Sequence, residues 1–514
     1  MSWLGHVIHD EPNATQETMK RISVDVAVIG AGTAGLAAYR AAVAAGRRAV
    51  LIEAGPHGTT CARVGCMPSK LLIAAGEAAH GPQRWPEFGL RLEGSVAIDG
   101  KAVMARVKRE RDRFVGFVLE GVDAIPEADR VIGRARFVDD RTLDIDGGRC
   151  TLGAARLPSE TDRSPALGTA QRAHTRITFE RAVIATGSSP SIPPVLRAAG
   201  DRLIVNDDVF DWDDLPRSVA VFGPGVIGLE LGQALSRLGV EVVLFGRRGH
   251  VGPFSDPALQ AYARRTFERE LDLEANADVR DVERDGDRVR VSYRDDAGRD
   301  RTANVEFVIA ATGRTPNVRG LSLENTSLRL DERGVPLFDR NTMQCGDSAI
   351  FIAGDAGDDL AVLHEAADEG RIAGENAARY PDVRPAPRRT PLAIVFSDPQ
   401  LAVAGTRFAD LEPGTFVTGA VSFEDQGRSR VMLRNVGLLH VYADIATGRL
   451  VGAEMIGPDA EHLAHLLSWA MAVDLTVERT LAMPFYHPVV EEGLRTALRD
   501  AAAQLRAARL ARAA

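Results

Sequence analysis

One glycine-rich pattern occurs twice in the chain, and this repeat limits the possible folds more than any other feature. A β-branched run, Val24–Ile29, leads into Gly30, Gly32 and Gly35, and an alanine-rich stretch and a second apolar run ending at Glu53 follow. The order of strand, glycine turn, helix and strand is typical of a βαβ unit with parallel strands. We therefore predict that residues 24–53 form such a unit.

The spacing of these glycines indicates a dinucleotide site. Gly30 permits a tight turn, Gly32 lets the backbone approach a pyrophosphate, and Gly35 allows the helix to pack closely on the strand. The phosphates then lie at a helix N-terminus, where free N–H groups favour anions. Glu53, 23 residues after Gly30, is placed to bind the ribose hydroxyls. A purely structural glycine turn is the alternative, and the combined strand, helix and acid disfavour it.

The second copy of the pattern lies near the middle of the chain. An apolar run, Ser218–Phe222, leads into a second glycine triplet, made of Gly223, Gly225 and Gly228. Each copy is followed much later by an Ala-Thr-Gly sequence, which contains Thr186 and Gly187 in the first case and Gly313 in the second. The second copy is thus predicted to bind a second nucleotide.

These two units and a change of composition predict the domain organisation. We expect an α/β protein with two doubly wound nucleotide-binding domains, the second inserted in the first, and a C-terminal α+β domain. The first domain is predicted to comprise residues 21–195 and 320–384, the second 196–319, and the third 385–514. Residues 158–173 are predicted to form a surface insertion, and residues 501–514 an alanine- and arginine-rich helix.

Charge and apolar patterning exclude several classes of partner. A net charge of −9 disfavours nucleic acid or an anionic membrane as the main partner. The sequence has no apolar run of about 18 residues and no secretory signal pattern, so we expect no membrane association and a cytoplasmic location. Four cysteines are too few for a disulfide framework. We predict no metal site.

Two of the cysteines, Cys61 and Cys66, need a separate explanation. They lie five residues apart, just before a predicted helix over about 70–80 with Pro68 in its first turn. A thiolate at a helix N-terminus is stabilised and reactive. The alternative, two buried core cysteines, is disfavoured by their neighbours in the sequence.

The segment from Gly58 to Lys70, with the sequence GTTCARVGCMPSK, resembles the redox segment of the pyridine nucleotide–disulfide oxidoreductases, and dihydrolipoamide dehydrogenases in particular. The resemblance extends from Val24 to about Leu498. Residues 351–355, ending in Asp355, resemble the family's second flavin motif. His487-Pro488, with a glutamate five positions after the histidine, resembles its acid–base motif.

The resemblance implies a role for each of these residues. Cys61 would exchange with the substrate disulfide, and Cys66 would face the flavin of bound FAD. Lys70 and Glu230 would form an ion pair near the flavin, and Asp355 would bind its ribityl chain. His487 would act as the general acid–base from the other subunit of a homodimer. Spacing selects Glu492 as its partner, with the adjacent Glu491 as the rival.

The resemblance also narrows the substrate to a small dithiol or disulfide. Dihydrolipoyl groups are the first candidate, because Val226 stands where glutathione reductases commonly have a tyrosine. A glutathione-type disulfide reductase is the second candidate. The chain has no C-terminal cysteine pair of the kind found in mercuric and large thioredoxin reductases. A non-catalytic flavoprotein redox sensor is the alternative from another class, and the presence of both cysteines and His487 disfavours it.

The nicotinamide is predicted to be NADP(H), although NAD(H) remains an alternative. The count that leads from Gly30 to Glu53 leads from Gly223 to Gly246, and Arg247 and Arg248 follow. A carboxylate at this place would repel a 2′-phosphate, whereas two guanidinium groups would bind it. Typical dihydrolipoamide dehydrogenases use NAD and have an acid here, so this departure weakens the assignment to lipoyl chemistry. The competing explanation is that both arginines are solvated loop charges.

Overall fold

The computed structural model of the chain describes residues 20–149 and 174–513. Cys150 and the predicted insertion at 158–173 lie outside these residues.

The strands belong to both nucleotide-type sheets, to two smaller sheets and to a C-terminal sheet. In chain order they are β1 (Lys20–Ile29), β2 (Ala49–Glu53), β3 (Arg130–Asp139), β4 (Thr142–Arg149), β5 (Thr175–Ile184), β6 (Ser188–Pro190), β7 (Leu203–Val205), β8 (Ser218–Phe222), β9 (Glu241–Phe245), β10 (Asp272–Glu274), β11 (Asp278–Asp285), β12 (Arg288–Arg294), β13 (Asp300–Val305), β14 (Phe307–Ala310), β15 (Arg314–Pro316), β16 (Ile350–Ile352), β17 (Leu392–Val395), β18 (Gln400–Gly405), β19 (Phe416–Ser422), β20 (Leu438–Asp444) and β21 (Leu450–Gly457).

The helices pack on these sheets or connect them. In chain order they are α1 (Thr33–Ala44), α2 (Thr60–Val64), α3 (Cys66–His80), α4 (Gly100–Asp123), α5 (Asn206–Val209), α6 (Val226–Arg237), α7 (Pro257–Phe267), α8 (Leu363–Arg379), α9 (Gly427–Val431), α10 (Ala460–Ala472), α11 (Val477–Leu481) and α12 (Glu491–Ala513).

The described residues form two compact units, the first of which comprises residues 20–57, 119–149, 174–187 and 316–386. Its sheet has β1 between β2 and β5, all parallel, and β16 continues beside β5. The antiparallel strand β4 pairs with β3 and β5. Helix α8 packs closely on α1, because a Cβ at Gly370 or Gly374 would lie 2.1 or 2.3 Å from a backbone oxygen of that helix.

The second unit comprises residues 58–118, 188–315 and 387–514. Its parallel sheet has the order β10-β9-β8-β14-β7, and the antiparallel C-terminal sheet has the order β17-β18-β21-β20-β19. One hydrophobic core in this unit contains buried side chains of α3, α6, the parallel sheet, β17 and β18. Among them are Leu72, Leu229, Val395 and Leu401. This core holds α3 and its cysteines against α6.

The two glycine turns adopt the same geometry. A Cβ added at Gly35 would lie 1.8 Å from the carbonyl oxygen of Gly30, and one at Gly228 would lie 1.9 Å from that of Gly223. Gly30 and Gly223 have φ of +108° and +105°, values that side chains disfavour. The glycines are therefore required for the turn itself and for the contact between helix and strand.

The predicted fold class is confirmed: the protein is α/β, with two nucleotide-type sheets and a separate C-terminal sheet. The exact domain boundaries given above stay a prediction. The C-terminal helix begins at Glu491, ten residues before the predicted start. Among the described residues, none of the helices combines the length and the apolar character needed to cross a membrane.

Candidate active site

The two cysteines lie on consecutive helices that meet at a glycine. Cys61 is the second residue of α2, and Cys66 is the first residue of α3, with Gly65 between the helices. Pro68 stands in the first turn of α3, where its missing N–H costs nothing. Neither cysteine is in a disulfide in this structure, and Cys66 is the more exposed of the two. Cys66 thus sits at the positive end of a long helix, where a thiolate is stabilised.

The environment pushes the pKa values of the two thiols in opposite directions. A hydrogen bond from Cys61 and the nearby charge of Lys70 outweigh burial and lower the pKa of Cys66 to about 6. The same hydrogen bond, together with burial, raises the pKa of Cys61. The environment therefore favours the thiolate on Cys66 and the thiol on Cys61.

A partly buried ion pair lies one turn after Cys66. The ammonium of Lys70 donates to both carboxylate oxygens of Glu230, at 2.9 and 2.8 Å. The side chain of Glu230 is only 5% exposed, so its charge is compensated by this contact and by the N–H of Phe396, at 3.0 Å. Lys70 thereby brings a fixed positive charge close to the thiols.

The first glycine turn leaves room for a dinucleotide. No atom lies within 4 Å of a Cβ built at Gly32, so the backbone is open to a pyrophosphate there. The carboxylate of Glu53 accepts from the N–H groups of Ala31 (2.7 Å) and Gly55 (2.8 Å), which fixes its position at the end of β2. Each of its oxygens retains a lone pair for a ribose hydroxyl.

Two further groups in the same unit fit a bound FAD. The hydroxyl of Thr186 and both ring nitrogens of His57 are buried without a protein hydrogen-bond partner. Buried polar atoms are rarely left unpaired, so a polar ligand beside β2 and β5 explains them. Gly187, after β5, has a φ of +68°, and Asp355 lies in a short turn after β16. The residues present therefore fit FAD.

The second glycine turn has the same open geometry as the first, but a different residue stands at the end of the following strand. Space is again free around a Cβ at Gly225, and Gly313 has a φ of +97°. Gly246 is buried: a Cβ there would lie 2.6 Å from the carbonyl oxygen of Ala275 and 2.8 Å from Pro224. No side chain fits at the position that Glu53 occupies in the first unit.

The two arginines that follow Gly246 are exposed. Arg248 has a φ of +59°, and its N–H donates to the side-chain oxygen of Asn276 at 2.9 Å. This contact holds the loop after β9 in one conformation while the guanidinium groups remain accessible. The loop can therefore present two positive charges to an anion.

The predicted acid–base pair is formed within one chain. His487 Nδ1 lies 3.0 Å from Glu492 Oε2 and 3.1 Å from Oε1, so Glu492, in the first turn of α12, is the carboxylate that contacts the imidazole. The contact with His487 lowers the pKa of Glu492. The His487 side chain is 80% exposed, and among the described residues of a single chain no hydrogen bond joins it to Cys61.

Sequence reasoning gave no role to His57 or Phe396, although both lie near predicted site residues. His57 stands between Glu53 and Cys61, and its position along the chain is the one sequence signal that could have suggested a role. Phe396 is far from Lys70 and Glu230 in the sequence and contacts them only in the folded second unit. No local sequence pattern indicates this contact.

Comparison with known proteins identifies the family. The family model described as pyridine nucleotide-disulphide oxidoreductase matches residues 24–370, and its dimerisation domain matches residues 392–498. The chain belongs to the pyridine nucleotide-disulphide oxidoreductases. Members of this family bind FAD and use a pyridine nucleotide, so the predicted flavoprotein oxidoreductase class is confirmed.

Relatives in the family are named for different activities. A dihydrolipoyl dehydrogenase of Rhizobium etli is 28% identical, over 93% of this chain and 98% of its own length. A mercuric reductase of Shigella flexneri is also 28% identical, over 92% of this chain and 80% of its own. A hypochlorous acid-induced flavoprotein disulfide reductase of Escherichia coli is similar in structure, with a TM-score of 0.75, 20% identity and coverage of 93% and 99%. At that identity the likeness supports the fold alone.

Proposed function

We propose that this oxidoreductase passes electrons between NADPH and a small disulfide or dithiol through Cys61 and Cys66. The observation that carries the proposal is the pair of hydrogen-bonded cysteines at the junction of α2 and α3, whose pKa values are shifted in opposite directions. The Lys70–Glu230 ion pair lies one turn away. Bound FAD would supply two-electron transfer to and from this pair. Gly32, Glu53, Thr186 and Asp355 are among the residues that would hold it.

The chain's own groups account for exchange with the substrate. Cys61 loses its proton to His487 and attacks one sulfur of the substrate disulfide, forming a mixed disulfide, and the leaving thiolate takes the proton from His487. The Cys66 thiolate then attacks the Cys61 sulfur, releases the second half of the substrate as a thiolate and closes the Cys61–Cys66 disulfide. The raised pKa of Cys61 explains why a base is needed, and Glu492 orients that base.

A homodimer completes this arrangement, because in the proposal His487 acts on the cysteine pair of the other subunit. The match to the dimerisation domain supports it. Helix α10 and the residue after it also expose three large apolar side chains, Leu466 (41%), Trp469 (65%) and Val473 (66%). Such a patch is typical of an interface between subunits.

A dihydrolipoyl group is the first candidate substrate, supported by the resemblance of the redox segment and by relatives such as that of R. etli. The second candidate is a low-molecular-weight disulfide that is reduced with NADPH. The loop at Gly246, Arg247 and Arg248 favours this second activity, because it has no room for an acid and presents two cations.

Anaerobic titration of the purified holoenzyme tests the proposal. NADPH should reduce the protein by two electrons and produce a long-wavelength thiolate band, and a panel of lipoamide, dihydrolipoamide and glutathione disulfide should identify the substrate. Reduction without such a band, and no turnover of any disulfide or dithiol, would show that the protein is a flavoprotein without disulfide chemistry.

A further inference from the structure

The Lys70 ammonium is held from three sides. It donates to both oxygens of Glu230, and it lies 3.4 Å from the hydroxyl of Ser69. On a further side, the ring of Phe396 lies 4.6 Å from the ammonium, measured to the ring centroid. This distance is within the range of a cation–π interaction. The cation therefore has little freedom to move.

Phe396 is itself fixed on α6 by its own segment. Its N–H donates to Glu230 Oε1 at 3.0 Å. Two residues later, the N–H of Asp398 donates to the side chain of Gln233 at 2.8 Å, and that side chain donates back to the Asp398 carbonyl at 2.8 Å. These three hydrogen bonds fix the strand end after β17 against α6, and with it the aromatic ring.

The position of Lys70 matters for the thiols. Besides the hydrogen bond from Cys61 and the opposing effect of burial, the charge of Lys70 lowers the pKa of Cys66, whereas the charge of Glu230 raises it. The two charges partly cancel at Cys66. A small displacement of the ammonium relative to the carboxylate therefore changes the balance at the thiol.

We propose that Phe396 is a positioning residue of the redox centre, which acts by holding the Lys70 ammonium between Glu230 and Cys66. The inference rests on the proposed function, in which Cys66 is a working thiolate. It extends that function, because it makes the segment after β17, at the start of the dimerisation domain, a determinant of thiol reactivity.

The surroundings of the ring explain how it acts. Phe396 forms part of the wall of a small cavity that is also lined by Glu230, Gln233 and Asp398. A smaller, non-aromatic side chain would remove the cation–π contact and admit water to the ion pair. The ammonium would then spend more time away from Cys66, and its effect on the thiolate would weaken.

The test is the pH midpoint of the long-wavelength thiolate band in two-electron-reduced holoenzyme. Phe396→Leu should raise this midpoint by up to about one pH unit, because a more mobile Lys70 ammonium stabilises the Cys66 thiolate less. Phe396→Met, which keeps most of the volume but not the ring, should do the same. Phe396→Tyr should restore the wild-type midpoint.

A double change separates an action through Lys70 from a packing effect. In Lys70→Gln enzyme, the midpoint should already be raised, and adding Phe396→Leu should shift it no further. Phe408→Leu is the matched control: this phenylalanine lies in the same domain but packs on Phe416 and Tyr442, and its replacement should leave the midpoint unchanged.

The outcomes distinguish the two proposals. If wild-type enzyme forms no thiolate band, the redox assignment itself is wrong. If the band forms and Lys70→Gln shifts it, but neither Phe396→Leu nor Phe396→Met does, only the role of Phe396 is wrong. If Phe396→Leu shifts the pH midpoint equally in wild-type and in Lys70→Gln enzyme, that role would also be wrong, because the ring would then not act through Lys70.

Discussion

At the scale of single residues, the most informative contrast is between Cys61 and Cys66. The sulfurs share one hydrogen bond, yet the pKa of Cys66 is lowered to about 6 and that of Cys61 is raised. Cys66, with the lower pKa, is at a helix N-terminus near Lys70, and Cys61 is half-buried in the short helix before it. This difference predicts different roles: Cys66 is the thiolate that gives the long-wavelength band, and Cys61 is the thiol that exchanges with the substrate.

The first prediction concerns these two roles. Changing Cys61 to Ser should leave a thiolate band in the resting holoenzyme, and changing Cys66 to Ser should abolish it. Because the pKa of Cys66 is lowered, the band should be full at pH 8 and fall as pH drops through about 6, where the thiolate is protonated. Absorbance spectra over this pH range measure both effects. A band that survives in Cys66→Ser enzyme would reverse the assignment.

The second prediction concerns the nicotinamide. The native enzyme should prefer NADPH, and changing Arg247 and Arg248 together to Ala should reduce kcat/KM for NADPH by about 10- to 150-fold. The value for NADH should change little, because NADH has no 2′-phosphate. Arg288→Ala, which removes an exposed cation from β12, serves as the control. A native preference for NADH, or an unchanged ratio in the double variant, would contradict the prediction.

Sequence reasoning could select candidate site residues because their signals are local. Glycine spacing identified both turns, and spacing alone selected Glu492, which the structure places beside His487. The sequence alone could not show that Gly246 lacks room for a side chain, because the obstacle is the carbonyl of Ala275, 29 residues away. Nor could it give the opposite pKa shifts, which depend on distances between side chains.

At the scale of elements, the short helix α2 begins in an unusual way. Its N-cap is Thr59, with φ 57° and ψ 149°, a region that only glycine adopts readily. The Thr59 hydroxyl accepts from the N–H of Ala62 at 3.3 Å, so the strained residue also caps the helix that carries Cys61. The capping hydrogen bond stabilises the folded state, whereas the strained backbone of Thr59 destabilises it.

The third prediction follows from this conflict. Thr59→Gly should raise the free energy of unfolding by about 1 kcal/mol, because relief of roughly 1–3 kcal/mol of strain exceeds the small loss of the cap and the added chain entropy. Thr60→Gly, one residue later and inside the helix, is the matched control and should lower it by about 0.3–0.5 kcal/mol. Denaturant unfolding of the two variants decides the matter. If both variants are destabilised equally, Thr59 is not strained.

Periodic elements were the easiest to predict. The strands before each glycine turn and the helix after the cysteines are where the sequence places them, although the helix starts at Cys66 rather than near Lys70. The start of α12 at Glu491 was missed, because its first two turns pack through Leu494, Ala497 and Leu498 rather than showing an alanine-rich pattern. The contact between Phe396 and Lys70 joins distant elements and has no local signal.

At the scale of the whole molecule, the proposed active site needs two copies of the chain. The fourth prediction is that His487→Gln reduces disulfide exchange by about 100-fold or more, the range for loss of general acid–base catalysis. Reduction of the enzyme by NADPH should be almost unaffected, because it does not require this proton transfer. Stopped-flow measurement of the two half-reactions separates them.

Mixed dimers provide the control for that prediction. Homodimers of Cys61→Ser chains should lack disulfide exchange, and homodimers of His487→Gln chains should retain only the low residual activity of that variant. In the proposal, a heterodimer of the two contains one site with both residues intact. Activity should therefore reappear on mixing, up to one site per heterodimer. Heterodimers that form and show no recovery would place His487 and Cys61 of the same chain in one site.

The packing around Gly246 has a consequence for how the coenzyme preference could change during evolution or by design. The neighbouring backbone at Ala275 and the ring of Pro224 occupy the space of a side chain. An acidic residue introduced there alone would meet a steric barrier before any benefit to NADH binding. Intermediates on the way to an NADH enzyme would thus be less fit than either end point. The shift is epistatic: a route open to selection must first move the loop at Ala275 or replace Pro224.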